Sequence, residues 1–272
     1  MNIIALIITF HPKKELLLNN IEAIYNAVDS IIIWQNSDEK LDYLNHYSKI
    51  TFCGDLSNHY IAEPINIIIK YCFEKGIDYL LTLDQDTVFD GFSSFKNAVE
   101  KSISEDVAVY APVLHWFKRT SNDSITEAKT AITSGSIMSV RIAKELGGYR
   151  EDYKIYEADL EYCHWARKNG YRILNFWDFV LNHNLGYQSK PIWKFSVWNY
   201  SPIVYYFIFR NRCWMYREYF DRKNLFKALK SSLLLYVPGI ILGERQKIKK
   251  LYYLGKGIYE GLFSHISTRP SL

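Results

Sequence analysis

Through the first two thirds of the chain, short apolar runs alternate with longer stretches of mixed polarity. Buried parallel strands joined by crossover helices read this way. The run Ile3 to Thr9 predicts a first strand, broken by His11-Pro12, and Lys13 to Ala27 carries Leu16, Leu17, Asn20, Ile24 and Ala27 at near-helical spacing. Ser30 to Trp34 and Ile50 to Cys53 predict two more strands, Ile61 to Glu74 a helix, and Asp78 to Leu83 a strand that runs into Asp84-Gln85-Asp86. Val107 to Ala111, Val113 to Phe117 and Ala131 to Val140 are strand-like, with a polar loop at Ser121 to Glu127. A helix ending at Gly147-Gly148 follows, then a helix over Asp159 to Asn169 closed by Gly170, and strands at Tyr171 to Asn175 and Phe179 to His183. From Lys190 the text turns to aromatic and basic helices. The pattern gives an α/β catalytic body over 1–189 and a helical, basic and aromatic appendage over 190–272.

Composition narrows this picture. With 272 residues, 49% hydrophobic and 23% charged, the chain has the make-up of a globular protein with room for a sizeable core. Aromatic residues reach 16%, which points to surfaces that stack on rings or meet an interface. The net charge of +4 hides an asymmetry: Arg210 to Leu272 holds 13 Lys and Arg against 4 Asp and Glu, while the rest holds 20 against 25. A basic tail on an acidic body suits an anionic surface. The tail lacks a zinc-finger or RRM signature and interleaves its charges with apolar runs, so a membrane surface is expected rather than nucleic acid. Cys53, Cys72, Cys163 and Cys213 form no C-x-x-C pair and are expected to be reduced thiols, mostly buried. Pro238-Gly239 interrupts Leu233 to Leu242, so no transmembrane helix is expected there, and the first residues carry no cleavable signal. A cytoplasmic protein, peripheral on the inner face of the plasma membrane, is the resulting expectation.

Three constellations carry chemistry. Asp84 and Asp86, two residues apart where a strand leaves the sheet, suit a hard divalent cation that also binds a diphosphate, or alternatively cap the following loop. Glu157, Asp159 and Glu161 stand at alternate positions opening a helix, where its dipole stabilises carboxylate charge. Crowded carboxylates also have the raised proton affinity that a base acting on a sugar hydroxyl requires. His183, after an apolar strand, is either structural or a metal ligand.

In order, Ile8-Thr9-Phe10-His11-Pro12, Trp34-Gln35-Asn36-Ser37, Asn58 with Asn66, Leu83-Asp84-Gln85-Asp86-Thr87, Ser134-Gly135-Ser136, Gly147 to Asp152, Asp159 to Cys163, His183 and Tyr205-Tyr206 before Arg210-Asn211 resemble the family 2 glycosyltransferases. Within them, the likeness is to the bacterial rhamnosyltransferase-like group that builds surface polysaccharides. It implies a GT-A type, Rossmann-like mixed sheet flanked by helices. It also implies that Thr9, Phe10, His11 and Gln35 line the nucleoside pocket, that Asn58 helps close it, and that Asp84, Gln85 and Asp86 meet the donor. Asp86 and His183 would hold Mg2+ or Mn2+, Asp159 would be the base, and Glu157 and Glu161 would be secondary acidic or acceptor-site residues. The family pattern has Asp where Gln35 stands and Gly where Tyr60 stands.

The activity so implied is inverting, metal-dependent transfer of rhamnose from dTDP-rhamnose to a hydroxyl of a lipid-linked glycan. A UDP-sugar-dependent galactosyl, glucosyl or galactofuranosyl transfer on the same fold is the alternative. A nucleotidyltransferase fits less well, because no glycine-rich basic loop follows Thr9. A non-enzymatic carbohydrate- or membrane-binding module would leave the ordered carboxylates unexplained. Homo-oligomerisation is left open.

Overall fold

The computed structural model describes residues 1–119, 122–182, 189–192, 195–267, 269 and 272. The chain divides into two compact units, one formed by Met1–Glu151, Asp159–His183 and Arg269–Leu272, the other by Asp152–Ala158 and Asn184–Thr268.

The first unit is built on a mixed eight-stranded sheet. Its elements are β1 (Ile3–Thr9), α1 (Lys14–Ile24), β2 (Ser30–Gln35), β3 (Ile50–Cys53), α2 (Ala62–Glu74), β4 (Tyr79–Asp84), α3 (Phe92–Glu100), β5 (Val107–Leu114), β6 (Ile125–Glu127), β7 (Ser136–Ser139), α4 (Val140–Glu145), α5 (Ala158–Lys168) and β8 (Arg172–Leu181). The strand order is β3-β2-β1-β4-β7-β5-β8-β6. Strands β3, β2, β1 and β4 run parallel, as the short apolar runs of β1, β2 and β4 predict. β7 is antiparallel to both β4 and β5, which makes the sheet mixed. Ile3, Ile7, Ile31, Ile33 and Leu81 lie in one core with Leu17 and Ile21 of α1 and the ring cluster Phe89, Phe92 and Phe95.

The structure departs from the expected pattern here: of the strand-like stretch Ala131 to Val140 only Ser136–Ser139 is strand, and Val140, capped by Ser139, opens α4. β5 runs unbroken through Pro112, where two strands were expected, and β8 likewise joins the two runs around Trp177. The polar segment expected as a loop contains the edge strand β6, paired with β8. Its alternation of exposed and half-buried residues is too short to register as a period.

The second unit begins with an antiparallel pair, β9 (Ser189–Ile192) and β10 (Phe195–Val197), before the helices expected from Lys190. Three helices follow: α6 (Pro202–Tyr219), α7 (Arg222–Gly243) and α8 (Lys247–Phe263). Tyr205, Ile208, Phe209, Leu225, Leu229, Ile240 and Leu254 form its core. Gly257 and Gly261 of α8 let it approach the backbone of α6, where added Cβ atoms would lie 2.5 Å from the Tyr206 carbonyl oxygen and 2.6 Å from Cys213 Cβ. Contrary to expectation, Pro238-Gly239 does not break the apolar stretch. α7 continues through it, and Gly239 lies against the Ser196 carbonyl of β10 where a side chain would collide. Of the described helices, α7 alone is long and apolar enough to cross a membrane, by length and composition.

The cysteines carry no disulfide; Cys72, Cys163 and Cys213 are buried and Cys53 is half-buried.

Candidate active site

Parallel strands deliver their carboxyl ends to one edge, and the register of this sheet brings distant residues there together. Ile8 pairs with Asp84 and with Trp34, Thr9 with Gln35, and Trp34 with Cys53. The loops that leave β1, β2, β3 and β4 therefore share one rim, where ligands of open α/β sheets bind.

Asp84 ends β4. Its backbone N–H donates to Ser134 Oγ (2.9 Å), and its carbonyl accepts from Asn20 Nδ2 (2.7 Å) and the Thr87 N–H (3.2 Å). Burial first, and then the charge of Asp86, raise its carboxyl to about 7. Asp84 and Asp86 present hard carboxylate oxygens two positions apart at the strand end, a donor set that fits a divalent cation. Among the described residues no three His, Cys, Asp or Glu side chains form a metal cluster, and His183 lies outside the described residues.

Between the two aspartates, Gln85 is engaged with the chain itself. Its Oε1 accepts from the Phe10 N–H (2.7 Å) and its Nε2 donates to the Phe10 carbonyl (3.0 Å). This two-way clamp fixes the loop after β1, where the Phe10 ring is 46% exposed and His11 adopts a left-handed φ of 49°. The His11 N–H donates to Ser37 Oγ (2.9 Å), and its ring pairs with Glu39. Thr9 is buried, with its hydroxyl donating to the Trp34 carbonyl (3.1 Å).

Gln35 Nε2 donates to the Glu39 carbonyl (3.2 Å). Glu39 has no sequence signal of its own. It stands at the rim with Oε1 on His11 and Oε2 buried without a hydrogen-bond partner. Such an orphaned acceptor is costly unless a ligand supplies a donor.

The loop after β3 turns at Gly54, whose φ of 100° and approach to the Gln35 carbonyl, 2.7 Å from an added Cβ, exclude a side chain. Asn58 is exposed and its Oδ1 accepts from the Tyr60 N–H (2.9 Å), closing an Asx turn. Tyr60, at the position where the family pattern has Gly, holds a left-handed φ of 60°. Asn36 secures the loop, with Nδ2 donating to the Tyr60 carbonyl (2.7 Å) and Oδ1 accepting from the His59 N–H (3.0 Å). The His59 ring bonds Asp55 (3.0 Å) and Glu63 (2.8 Å). Burial lowers its proton affinity, but the hydrogen bonds and charges of the two carboxylates outweigh this and hold it above the ordinary histidine value.

Asp159 opens α5, and Thr133 and Ser134 connect it to β4. The Thr133 N–H donates to Asp159 Oδ2 (3.3 Å), while the next residue, Ser134, accepts from Asp84. Asp159 Oδ1 accepts from the Leu160 N–H (2.9 Å). Asp159 is half-buried, whereas Glu161 is fully buried and pairs with Arg269. Asn66 of α2 fixes the Gly147 to Glu151 loop, with Oδ1 accepting from the Tyr149 N–H (2.7 Å) and Nδ2 donating to the Tyr149 carbonyl (2.8 Å).

In the second unit, Glu157 is buried and pairs with Arg212, whose Nε lies 2.8 Å from Glu157 Oε1. Asn211 Nδ2 donates to the carbonyls of Tyr153 (2.8 Å), Ile155 (2.8 Å) and Tyr156 (2.9 Å). These bonds stabilise a segment in which Lys154, Tyr156 and Glu157 all have left-handed φ values.

No family model matches the chain. Across 94% of its length it is 24% identical to the dTDP-rhamnosyl transferase RfbF of Shigella flexneri, of which 93% is covered. Among solved structures it is similar to GalNAc-T7 with UDP, GalNAc and Mn2+ (TM-score 0.64, 10% identity), covering 97% of this chain and 56% of that one. It is also similar to the mannosyltransferase PcManGT of Pyrobaculum calidifontis in complex with GDP-Man and Mn2+ (TM-score 0.60, 12% identity, 97% and 88% covered). A third is S. aureus TarS 1-349 with UDP-GlcNAc (TM-score 0.60, 11% identity, 96% and 82% covered). The structural likenesses show the GT-A fold. Together with the sequence relative they support a glycosyltransferase similar to a bacterial rhamnosyl transferase.

Proposed function

We propose that the chain transfers rhamnose from dTDP-rhamnose to a hydroxyl of a lipid-linked glycan, with inversion at the anomeric carbon. The observation that carries this reading is the link through Thr133 and Ser134, which ties the half-buried carboxylate of Asp159 to the backbone of Asp84 at the end of β4. A base and a diphosphate site on one segment are what a displacement at a sugar carbon needs. The named function of the Shigella relative supports the choice of donor.

Asp159 accepts the proton of the acceptor hydroxyl as its oxygen bonds to C1 and the bond from C1 to the diphosphate breaks. Nucleoside diphosphate leaves with the bonding electrons, and no covalent enzyme intermediate forms. Asp86, with Asp84 beside it and His183 as the further ligand, would hold Mg2+ or Mn2+, which would supply positive charge to the departing diphosphate. Phe10 offers its exposed ring to the nucleoside, and the orphaned oxygen of Glu39 accepts a base N–H. The imide N–H is common to thymine and uracil, so this acceptor suits dTDP and UDP donors alike. The basic C-terminal helices attach the enzyme peripherally to the inner membrane face, where a lipid-linked acceptor resides.

The test is release of nucleoside diphosphate by purified protein from dTDP-rhamnose, UDP-galactose, UDP-glucose and UDP-galactofuranose, with lipid-linked acceptors present. Turnover of dTDP-rhamnose alone is the expected result. Turnover of a UDP-sugar alone replaces the donor assignment, and pyrophosphate release in place of nucleoside diphosphate overturns sugar transfer.

A further inference from the structure

Where α7 gives way to α8, the second unit contains a cavity of about 480 Å³ whose walls include Asn199, Ser201, Arg245, Gln246 and Lys250. Among the described residues, two cations and several neutral donors line it, and the nearest carboxylate, Glu244, lies behind Lys250 in an ion pair. Lys250 is 96% buried, and the described residues give its ammonium one hydrogen-bond acceptor, Glu244 Oε2 at 2.6 Å. Two of its three N–H bonds remain for another oxygen. Glu244 is meanwhile satisfied three times over, by Lys250, the Tyr205 hydroxyl (2.6 Å) and the Trp198 N–H (3.1 Å). Only Lys250 among these carries charge, so the two form a buried neutral pair, and Lys250 offers an incoming oxygen its remaining N–H groups while Arg245 supplies the net positive charge. Arg245, exposed at the cavity wall, has no ion-pair partner among the described residues. A buried ammonium with spare donors beside a free guanidinium is a site for a phosphate oxygen rather than for a neutral ligand.

The surroundings give the phosphate its carrier. A neighbouring cavity of about 960 Å³ shares Arg245 and Gln246 and adds Glu244, already paired with Lys250, together with Lys247, Ile248, Lys249 and Tyr252. Ile248 is 87% exposed, and Ile241 and Leu242 at the end of α7 are each half exposed. A soluble phosphate compound has no use for isolated, uncovered aliphatic side chains around its anion site. The phosphate headgroup of a membrane lipid does, because the hydrocarbon beside it covers them.

We propose that this cavity binds the phosphate of an anionic membrane lipid, with Arg245 and Lys250 on the headgroup and Ile248 in the hydrocarbon. The proposal rests on the peripheral attachment put forward above and names the site that makes it. It is independent of the donor chemistry.

Flotation with phosphatidylglycerol and phosphatidylcholine vesicles tests it, using the full chain, Arg245→Gln, Ile248→Gln and, as a distant exposed cation of α7, Lys227→Gln. Thermal melts confirm that each variant folds. Wild type should float with phosphatidylglycerol, less so at high salt, and not with phosphatidylcholine. Arg245→Gln should bind about fivefold or more weakly, the worth of one cation at an anionic surface with its direct phosphate contact added. Ile248→Gln should bind about tenfold more weakly from lost apolar burial, and Lys227→Gln should lose the least. Equal losses from Lys227→Gln and Arg245→Gln would overturn the site in favour of diffuse charge attraction. Wild-type binding by Ile248→Gln, together with displacement of the protein by inorganic phosphate, would show a free-anion site and overturn the lipid assignment. No flotation of wild type would overturn the attachment itself, while donor turnover without vesicles reports the transfer reading separately.

Discussion

The amide of Gln85 sits between two aspartates expected to meet the donor, yet it spends both ends on the backbone of Phe10, 75 positions away in sequence. Gln85→Ala removes both bonds. Each intramolecular hydrogen bond contributes about 0.5–1.5 kcal/mol, so the pair contributes about 1–3 kcal/mol, toward the lower end because the clamp is solvent-exposed. The loop after β1 holds a left-handed His11 and an exposed Phe10 ring, and without the clamp it opens locally. Donor binding must then re-order it, which raises KM for the donor by about tenfold. The chemical step is made by groups the loop does not contain, so kcat should change by less than about twofold, and the melting temperature should move by only a few degrees. Gln85→Glu should be worse, because it keeps the acceptor for the Phe10 N–H but sets a third negative charge beside Asp84 and Asp86. Steady-state kinetics on the donor at saturating acceptor separate the possibilities. A fall in kcat with KM unchanged would refute the reasoning, since it would mean that the amide touches the reacting groups.

Asp159→Asn should keep donor affinity within about twofold while the single-turnover rate drops by roughly 100- to 10,000-fold, the range for a general base; lost affinity with a normal rate would move the base elsewhere. Asp86→Ala should abolish turnover and remove the effect of added Mn2+ on donor binding measured by calorimetry, whereas full activity in this variant or in chelator-treated wild type would rule out the cation site. His59 is held above its ordinary value by Asp55 and Glu63, so its bonds to them are strongest below about pH 6.5 and weaken as pH rises through the folded-state value. Donor KM should therefore rise with pH over that interval in wild type and stay flatter in His59→Gln; identical KM profiles would detach this histidine from the donor loop.

What the sequence made legible is what short-range pattern encodes. The unbroken apolar runs of β1, β2 and β4 announce strands buried on both faces, and the polar residues that end them mark a common rim, because parallel strands must end together. That logic places Asp84 at the mouth of a site, while Gln35 and the loop after β1 come to it only through the resemblance to the family 2 glycosyltransferases. It had no access to contacts that span the chain. Asn66 reaching the Tyr149 backbone, Gln85 reaching Phe10 and Ser134 reaching Asp84 join residues 50 to 83 positions apart and leave no periodic trace. Glu39 was invisible for the same reason, since its interest lies in an oxygen left without a partner, which only the folded rim defines.

The helical boundary at Pro238 and the aromatic excess show how a correct local rule can be overruled by packing. Proline removes one helix hydrogen bond and disfavours a continuing helix, yet the adjacent Gly239 lets α7 press against the backbone of β10, and that contact requires the helix to run on. The aromatic residues, whose abundance suggested stacking surfaces, divide into two populations that composition cannot separate. Tyr149 and Tyr162 stack at 4.8 Å in the interior, and Phe89, Phe92 and Phe95 fill the first core. Phe10, Phe226, Tyr252, Tyr259 and Phe263 stand exposed, the first at the donor rim and the others on the basic helices. The excess therefore serves two ends. In the first unit the buried rings supply core volume while Phe10 stands exposed at the rim; in the second, exposed rings lie among lysines and arginines, where an amphipathic side chain gains most at a boundary between water and hydrocarbon.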